Sequence, residues 1–222
     1  MYTALLIVQL ILGNLVVGSY IWLAFYSKIS SEELEVFWAG LSPTNHRNIF
    51  YFWFGSMVLT VASFLYMTYQ FIWQSEDWFV FDVSFNQNRQ YLLACYVVFL
   101  VSASAWAPLT FYSIRNGGSY KNLVILCLWI TAISSVGFAV FIFNTAENTI
   151  DSTTLTLLKI GVVIIVFHHV FLDATVWAWT FKPPTFKPPK KALLSLYDDK
   201  PPFSAFPFSA FVEERKRDLS FI

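Results

Sequence analysis

Charged residues are clumped along this chain, and the intervals between the clumps are almost wholly apolar. Five such intervals cover roughly residues 3–26, 49–73, 91–113, 121–143 and 155–181. Each reaches the ~20 residues that carry an α-helix across ~30 Å of hydrocarbon at ~1.5 Å per residue. None shows the alternation over ~10 residues that marks a strand of a membrane barrel. The pattern predicts an all-α integral membrane protein: a bundle of five transmembrane helices within residues 1–181, followed by a Pro/Phe-rich C-terminal extension over 182–222. The first interval lacks a basic start and is too long for a signal-peptide core, so it is read as a retained span.

Inside the spans the polar residues are themselves periodic. Ser56, Thr60, Ser63 and Gln70 share one face of the second span, and Ser102, Trp106, Thr110 and Ser113 share one face of the third. The first carries Gln9, Gly13, Asn14 and Gly18; the fourth groups Thr131, Ser134, Ser135 and Gly137. Small and hydroxyl residues let membrane helices approach closely. The sharper alternative is a shared polar seam open to water, ions or a ligand. Pro108 removes a backbone donor and crowds the turn before it, which frees the Ser104 carbonyl and predicts a kink in the third span.

Between the first two spans, "SSEELEVFWAGLSP" places Glu33 three residues after Ser30, a capping-box pattern. Gly40 and Pro43 supply stop signals. A short interfacial helix is expected, with Phe37 and Trp38 dipping into the headgroup region. The 182–222 segment repeats its motifs, "FKPPTFKPP" and "PFSAFPFSAF". Proline pairs exclude regular helix there, while the many phenylalanines predict docking on a partner.

Composition agrees with a membrane protein. Apolar residues make up 57% of the chain and charged residues 13%, against about 25% charged in soluble domains. The formal net charge of zero argues against nucleic acid as a partner. Of 14 Lys and Arg, 12 lie in the loops at 27–48 and 114–121 or in the tail; the other two are Arg89 and Lys159. The positive-inside bias then sets the N-terminus outside and the tail on a cytoplasmic, matrix or stromal side. Cys95 and Cys127 fall inside spans, without disulfide or metal spacing, and read as small packing residues.

The chemistry of interest lies in the fifth span, "VVIIVFHHVFLDATVWAWTF". His168 and His169 stand near its middle. On a regular α-helix Asp173 shares the face of His169, and His168 points roughly 100° away. An ionised aspartate in lipid is costly, so Asp173 is expected to face the bundle interior, paired with His169. Trp177 continues that face, and Trp179 is placed for an aromatic belt. The candidate intramembrane polar site is therefore His168, His169, Asp173 and Trp177, supported by Ser56, Thr60, Ser63, Ser104, Trp106 and Pro108. No second intramembrane histidine exists on another span to complete a bis-histidine haem, so no haem, metal or other cofactor is expected.

No Walker loop, nucleophile elbow, zincin helix or GxGxxG is present. The first reading is accordingly a non-catalytic structural or accessory subunit of a larger membrane assembly, with the lipid bilayer and other membrane subunits as partners and the tail as docking segment. Two further readings stand beside it. One is a small proton-sensitive channel or transporter with its site at His169 and Asp173. The other is a binder of an apolar small molecule in the aromatic-rich bundle.

Overall fold

A computed structural model describes residues 2–26, 28–40, 46–73, 85–144 and 151–183. Among these there is no strand. Five helices are long and apolar enough to cross a bilayer: Thr3–Ile21, Arg47–Trp73, Gln90–Arg115, Lys121–Phe143 and Ser152–Thr180. They match the five intervals expected from the hydrophobic pattern. Most of the proline- and phenylalanine-rich tail, Pro43, and the acidic-aromatic stretch before the third span lie outside the described residues.

The outer faces of these helices are apolar. Leu10, Ile11, Leu15, Phe52, Leu59, Ile133 and Phe171 are all exposed, the arrangement a lipid solvent rewards. The polar faces of the second, third and fourth spans turn inward instead, while Asn14 and Gly18 of the first stay exposed. Ser56, Thr60, Ser102, Thr110, Ser113, Thr131, Ser134 and Ser135 are buried. Thr131 Oγ1 donates to Ser102 Oγ at 2.7 Å, tying the fourth span to the third. These two spans form the most extensive pairing. A Cβ on Gly137 would come within 2.6 Å of Cys95 Sγ, so the absent side chain is what lets them close. The third helix runs unbroken through Pro108 to Arg115.

The first span departs from this compact arrangement. It leans on the second over Tyr2–Val8, but from Gln9 onward its main contacts are with the third. A cleft is thereby left between the first and second spans. Two stretches of the first span, Gln9–Gly13 and Trp22–Tyr26, are π-helical. A longer one, Phe167–Trp177, interrupts the α-helix expected throughout the fifth span. Its i→i+5 habit extends to a side chain: Thr175 Oγ1 donates to Val170 O, five residues back, at 2.6 Å.

The capping box forms as the sequence predicts. Ser30 Oγ accepts from Glu33 N–H at 3.1 Å, and Ser30 N–H donates to Glu33 Oε2 at 2.9 Å, opening the helix Ser31–Phe37. It ends in left-handed backbone at Ala39 (φ 54°) and Gly40 (φ 77°). Its environment differs from the expectation. Phe37 does not face headgroups but is fully buried, and Trp38 packs edge-on against Trp53 at 5.5 Å. The apolar edge of this helix finds the ends of the spans before it finds lipid.

Two anchors hold the helix there. Arg115 Nε donates to Glu33 Oε1 at 2.9 Å, and Trp177 Nε1 donates to Phe37 O at 3.0 Å. Gly118, at φ 84°, lets the turn between the third and fourth spans pass close to Pro183; a Cβ would approach Pro183 Cγ to 2.9 Å. The loop after the first span, the turn after the third and the exit of the fifth thus meet at one end, as an odd number of spans requires. That end is called the tail side below.

Candidate functional site

A cavity of about 340 Å³ occupies the cleft, reaching from mid-span to the tail side. Its volume lies within the ~300–1,000 Å³ range of small-molecule sites. Thr60, midway along Arg47–Trp73, lines its wall, and Trp53 lies about 10 Å nearer the tail side at ~1.5 Å per residue. The walls are mostly aromatic and aliphatic, with Tyr20, Trp38, Phe50, Trp53, Phe64 and Trp106 among them. His168, His169 and Asp173 complete the lining from the fifth span. Among the described residues no Lys or Arg lines it.

The polar groups bond in a definite order. Trp53 Nε1 donates to Asp173 Oδ1 at 3.3 Å. His168 Nε2 stands 3.5 Å from Asp173 Oδ2, and His168 Nδ1 lies 3.1 Å from Ser56 Oγ. If the His168 proton sits on Nε2, facing Asp173, then Nδ1 accepts the Ser56 hydroxyl proton. Here the structure corrects the pairing expected from a regular helix: Asp173 meets His168, not His169. In an α-helix five residues turn through about 500°, which would leave His168 and Asp173 roughly 140° apart. The π-helical stretch takes up about one more residue per turn and brings them to the same side.

His169 takes another role. Its Nδ1 lies 2.8 Å from Ile165 O, and its ring stands edge-on to Phe99 at 5.0 Å. A carbonyl only accepts, so Nδ1 carries the hydrogen, and in the neutral ring Nε2 is left as an acceptor on the cavity wall. Asp173 likewise keeps acceptor capacity. A carboxylate offers about four acceptor sites, and Trp53 and His168 approach one oxygen each.

Three other lining residues carry a donor that is itself shut away from the open space. Trp38 Nε1, Trp106 Nε1 and Thr60 Oγ1 are buried and have no hydrogen-bond partner among the described residues. Such groups are rare in folded proteins, and each costs about 1–3 kcal/mol when left so. Trp38 and Trp106 flank the Phe37 ring, at 5.4 and 5.0 Å between centroids, so both stand at the tail-side end with Asp173. Gln70 Oε1 and Ser113 Oγ are buried in the same condition but do not line the cavity.

The remaining residues singled out from sequence sort themselves by position. Trp177 is fully buried but off the cavity wall; it stacks on Phe181 at 4.3 Å and anchors Phe37 O. Ser63 lies against Gly161 of the fifth span, and the Ser104 hydroxyl donates to Val101 O in its own helix. Pro108 does not line the cavity either. Trp179, 84% exposed, is where an aromatic belt would need it. Trp38 and Trp53 were not marked as site residues by the sequence, because nothing in an aromatic-rich chain sets apart the indoles that face inward.

Compared with known proteins, the chain matches no protein family, no curated protein and no solved structure.

Proposed function

We propose that this protein holds a small, predominantly apolar molecule inside its helix bundle. The observation that carries this reading is the cavity of about 340 Å³, walled by aromatic and aliphatic side chains with His169 and Asp173 among its lining residues. An apolar pocket with a few convergent polar groups is the ordinary form of a small-molecule site. The accessory-subunit reading draws on a tail that lies mostly outside the described residues and stays with the sequence features that suggested it. Lys28, Arg47, Arg115, Lys121 and Lys182 flank the tail-side ends of the spans, which supports an orientation with that end toward the cytoplasm, matrix or stroma.

The test uses the full chain extracted in mild detergent. Native mass spectrometry is expected to find one small molecule retained on the wild type. Ala103→Trp, which projects an indole from the cavity wall, should abolish that adduct while leaving helical content unchanged. A wild type that carries no adduct, and whose melting no apolar compound raises, would remove the proposal.

A further inference from the structure

Given that the cavity binds a small molecule at all, its two ends say what kind. Near mid-span the lining is Val17, Val61, Phe64, Leu65 and Leu100. Val17, Val61 and Leu65 are also 56%, 54% and 54% exposed on the bundle's outer surface, so this wall is continuous with the face that meets lipid. At the tail-side end the wall changes character. Asp173 lines it with a side chain still 17% exposed, Trp53 on one oxygen and His168 on the other. The His169 ring stands 5.4 Å from that of His168, so a second acceptor lies close by. Aromatic rings gather around the carboxylate. Trp53 donates to it, Trp38 packs on Trp53 with centroids 5.5 Å apart, and Phe50 packs on Trp38 at 6.1 Å; all three line the cavity. The Trp53 N–H is spent on Asp173 and the Trp38 N–H is shut away, so both indoles meet the open space with ring carbons.

We infer that the guest is an amphiphilic amine, with its hydrocarbon body toward mid-span and an ammonium head seated on Asp173. Two properties of the wall favour that head. Trp53 and His168 approach one oxygen each of Asp173, and a carboxylate offers about four acceptor sites, so it can take N–H groups from a guest as well. Aromatic faces attract a cation that comes within about 6 Å of a ring centroid, and more strongly where water is excluded. An ammonium group consists of donors alone and carries the complementary charge, so it answers both properties. Pairing also offsets the cost of an ionised carboxylate inside a membrane span. Written as ammonium and carboxylate or as amine and carboxylic acid, the pair holds the same protons. A hydroxyl head would bond Asp173 without the charge, and a carboxylate head would be repelled by it.

The experiment compares four probes of one chain length: dodecylammonium, dodecan-1-ol, dodecanoate and dodecane. Each is titrated calorimetrically into the full-length protein in phosphatidylcholine nanodiscs, with partition into protein-free discs subtracted. The ammonium is expected to bind about 10-fold tighter than the alcohol, the margin of a charge-assisted over a neutral hydrogen bond, and tighter still than the other two. Asp173→Asn keeps an acceptor for Trp53 but drops the charge. It should bring the ammonium down to the alcohol while dodecane still binds, which shows that the cavity has survived the change. Ala103→Trp, which fills the cavity, should abolish binding of ammonium and alcohol alike with Asp173 in place. Equal or tighter binding of the alcohol or the carboxylate to the wild type overturns the head assignment. So does an ammonium preference that survives either substitution. If the Asn variant loses dodecane too, the wild-type ranking and the Ala103→Trp result decide. Binding of all four without preference rejects the amine head but leaves the binding function standing, whereas no binding of any probe above partition rejects both.

Discussion

The two halves of the bundle use the same kinds of side chain and close to different degrees. In the half around Leu5, Phe71 and Phe138, the central polar trio is complete. Tyr96 OH donates to Gln9 Oε1 at 2.6 Å and meets Thr68 Oγ1 at 2.8 Å. Phe64, Phe99 and Phe138 interlock beside it, with centroids 5.1 Å apart for the first pair and 5.3 Å for the second, and of these residues only Gln9, Phe64 and Phe99 reach the cavity. In the tail-side half, Trp38, Trp106 and Trp177 meet Phe37 and Trp53 packs on Trp38, and the cavity is lined by three of these four. Two of the four indoles find acceptors, at Asp173 and Phe37 O; the other two have none among the described residues. The open space thus lies in the half that leaves these indole N–H groups without partners among the described residues.

The largest expected effect probes the closed half. Phe138 is fully buried, and Phe138→Ala should lower stability by about 3–5 kcal/mol, read as a fall in the melting midpoint in detergent. A loss under about 1 kcal/mol would mean that this half is as loosely built as the other. The comparison sharpens with single hydroxyls. Tyr96→Phe strips a group that both Gln9 and Thr68 bond, and should cost about 1–3 kcal/mol. Thr60→Val replaces a buried hydroxyl that has no partner among the described residues by a methyl, and should be neutral or slightly stabilising in the same assay. Equal losses from the two substitutions would erase the distinction between the halves.

The smallest effect concerns the backbone. Lys28 and Ala39, the non-glycine residues with left-handed φ among those described, bracket the short helix under the cavity. Ala39→Gly should stabilise the protein by less than about 1 kcal/mol, because relief of ~1–2 kcal/mol of left-handed strain is partly offset by glycine's freedom in the unfolded chain. A melting midpoint lowered by this change would show that the Ala39 methyl, not the turn, holds the helix in place.

Much of this architecture was legible in the sequence. The five spans, the capping box at Ser30 and Glu33, and the inward polar faces all follow from residue spacing, which local geometry obeys. The partner of Asp173 does not. Choosing between His168 and His169 depends on whether the fifth span is α or π there, and tertiary contacts at Ser56 and Trp53 accompany the wider turn. Phe37 and Trp38 escaped for a related reason. An amphipathic helix reads the same whether its apolar edge meets lipid or protein, and only the Arg115 and Trp177 anchors decide.

The wide turn at Phe167–Trp177 also bears on chain length. In a straight α-helical span, losing one residue swings everything beyond it by about 100° and draws it in by ~1.5 Å, displacing a whole packed face. A π-helical stretch already holds surplus residues relative to an α-helix of the same height. One residue removed there lets the coil tighten instead of dragging the helix end with it, so Trp177 and Phe181 can keep their seats under the bundle. What is given up is the alignment of His168 with Asp173. This stretch is thus where the bundle can absorb a deletion in its backbone, with the site bearing the consequence.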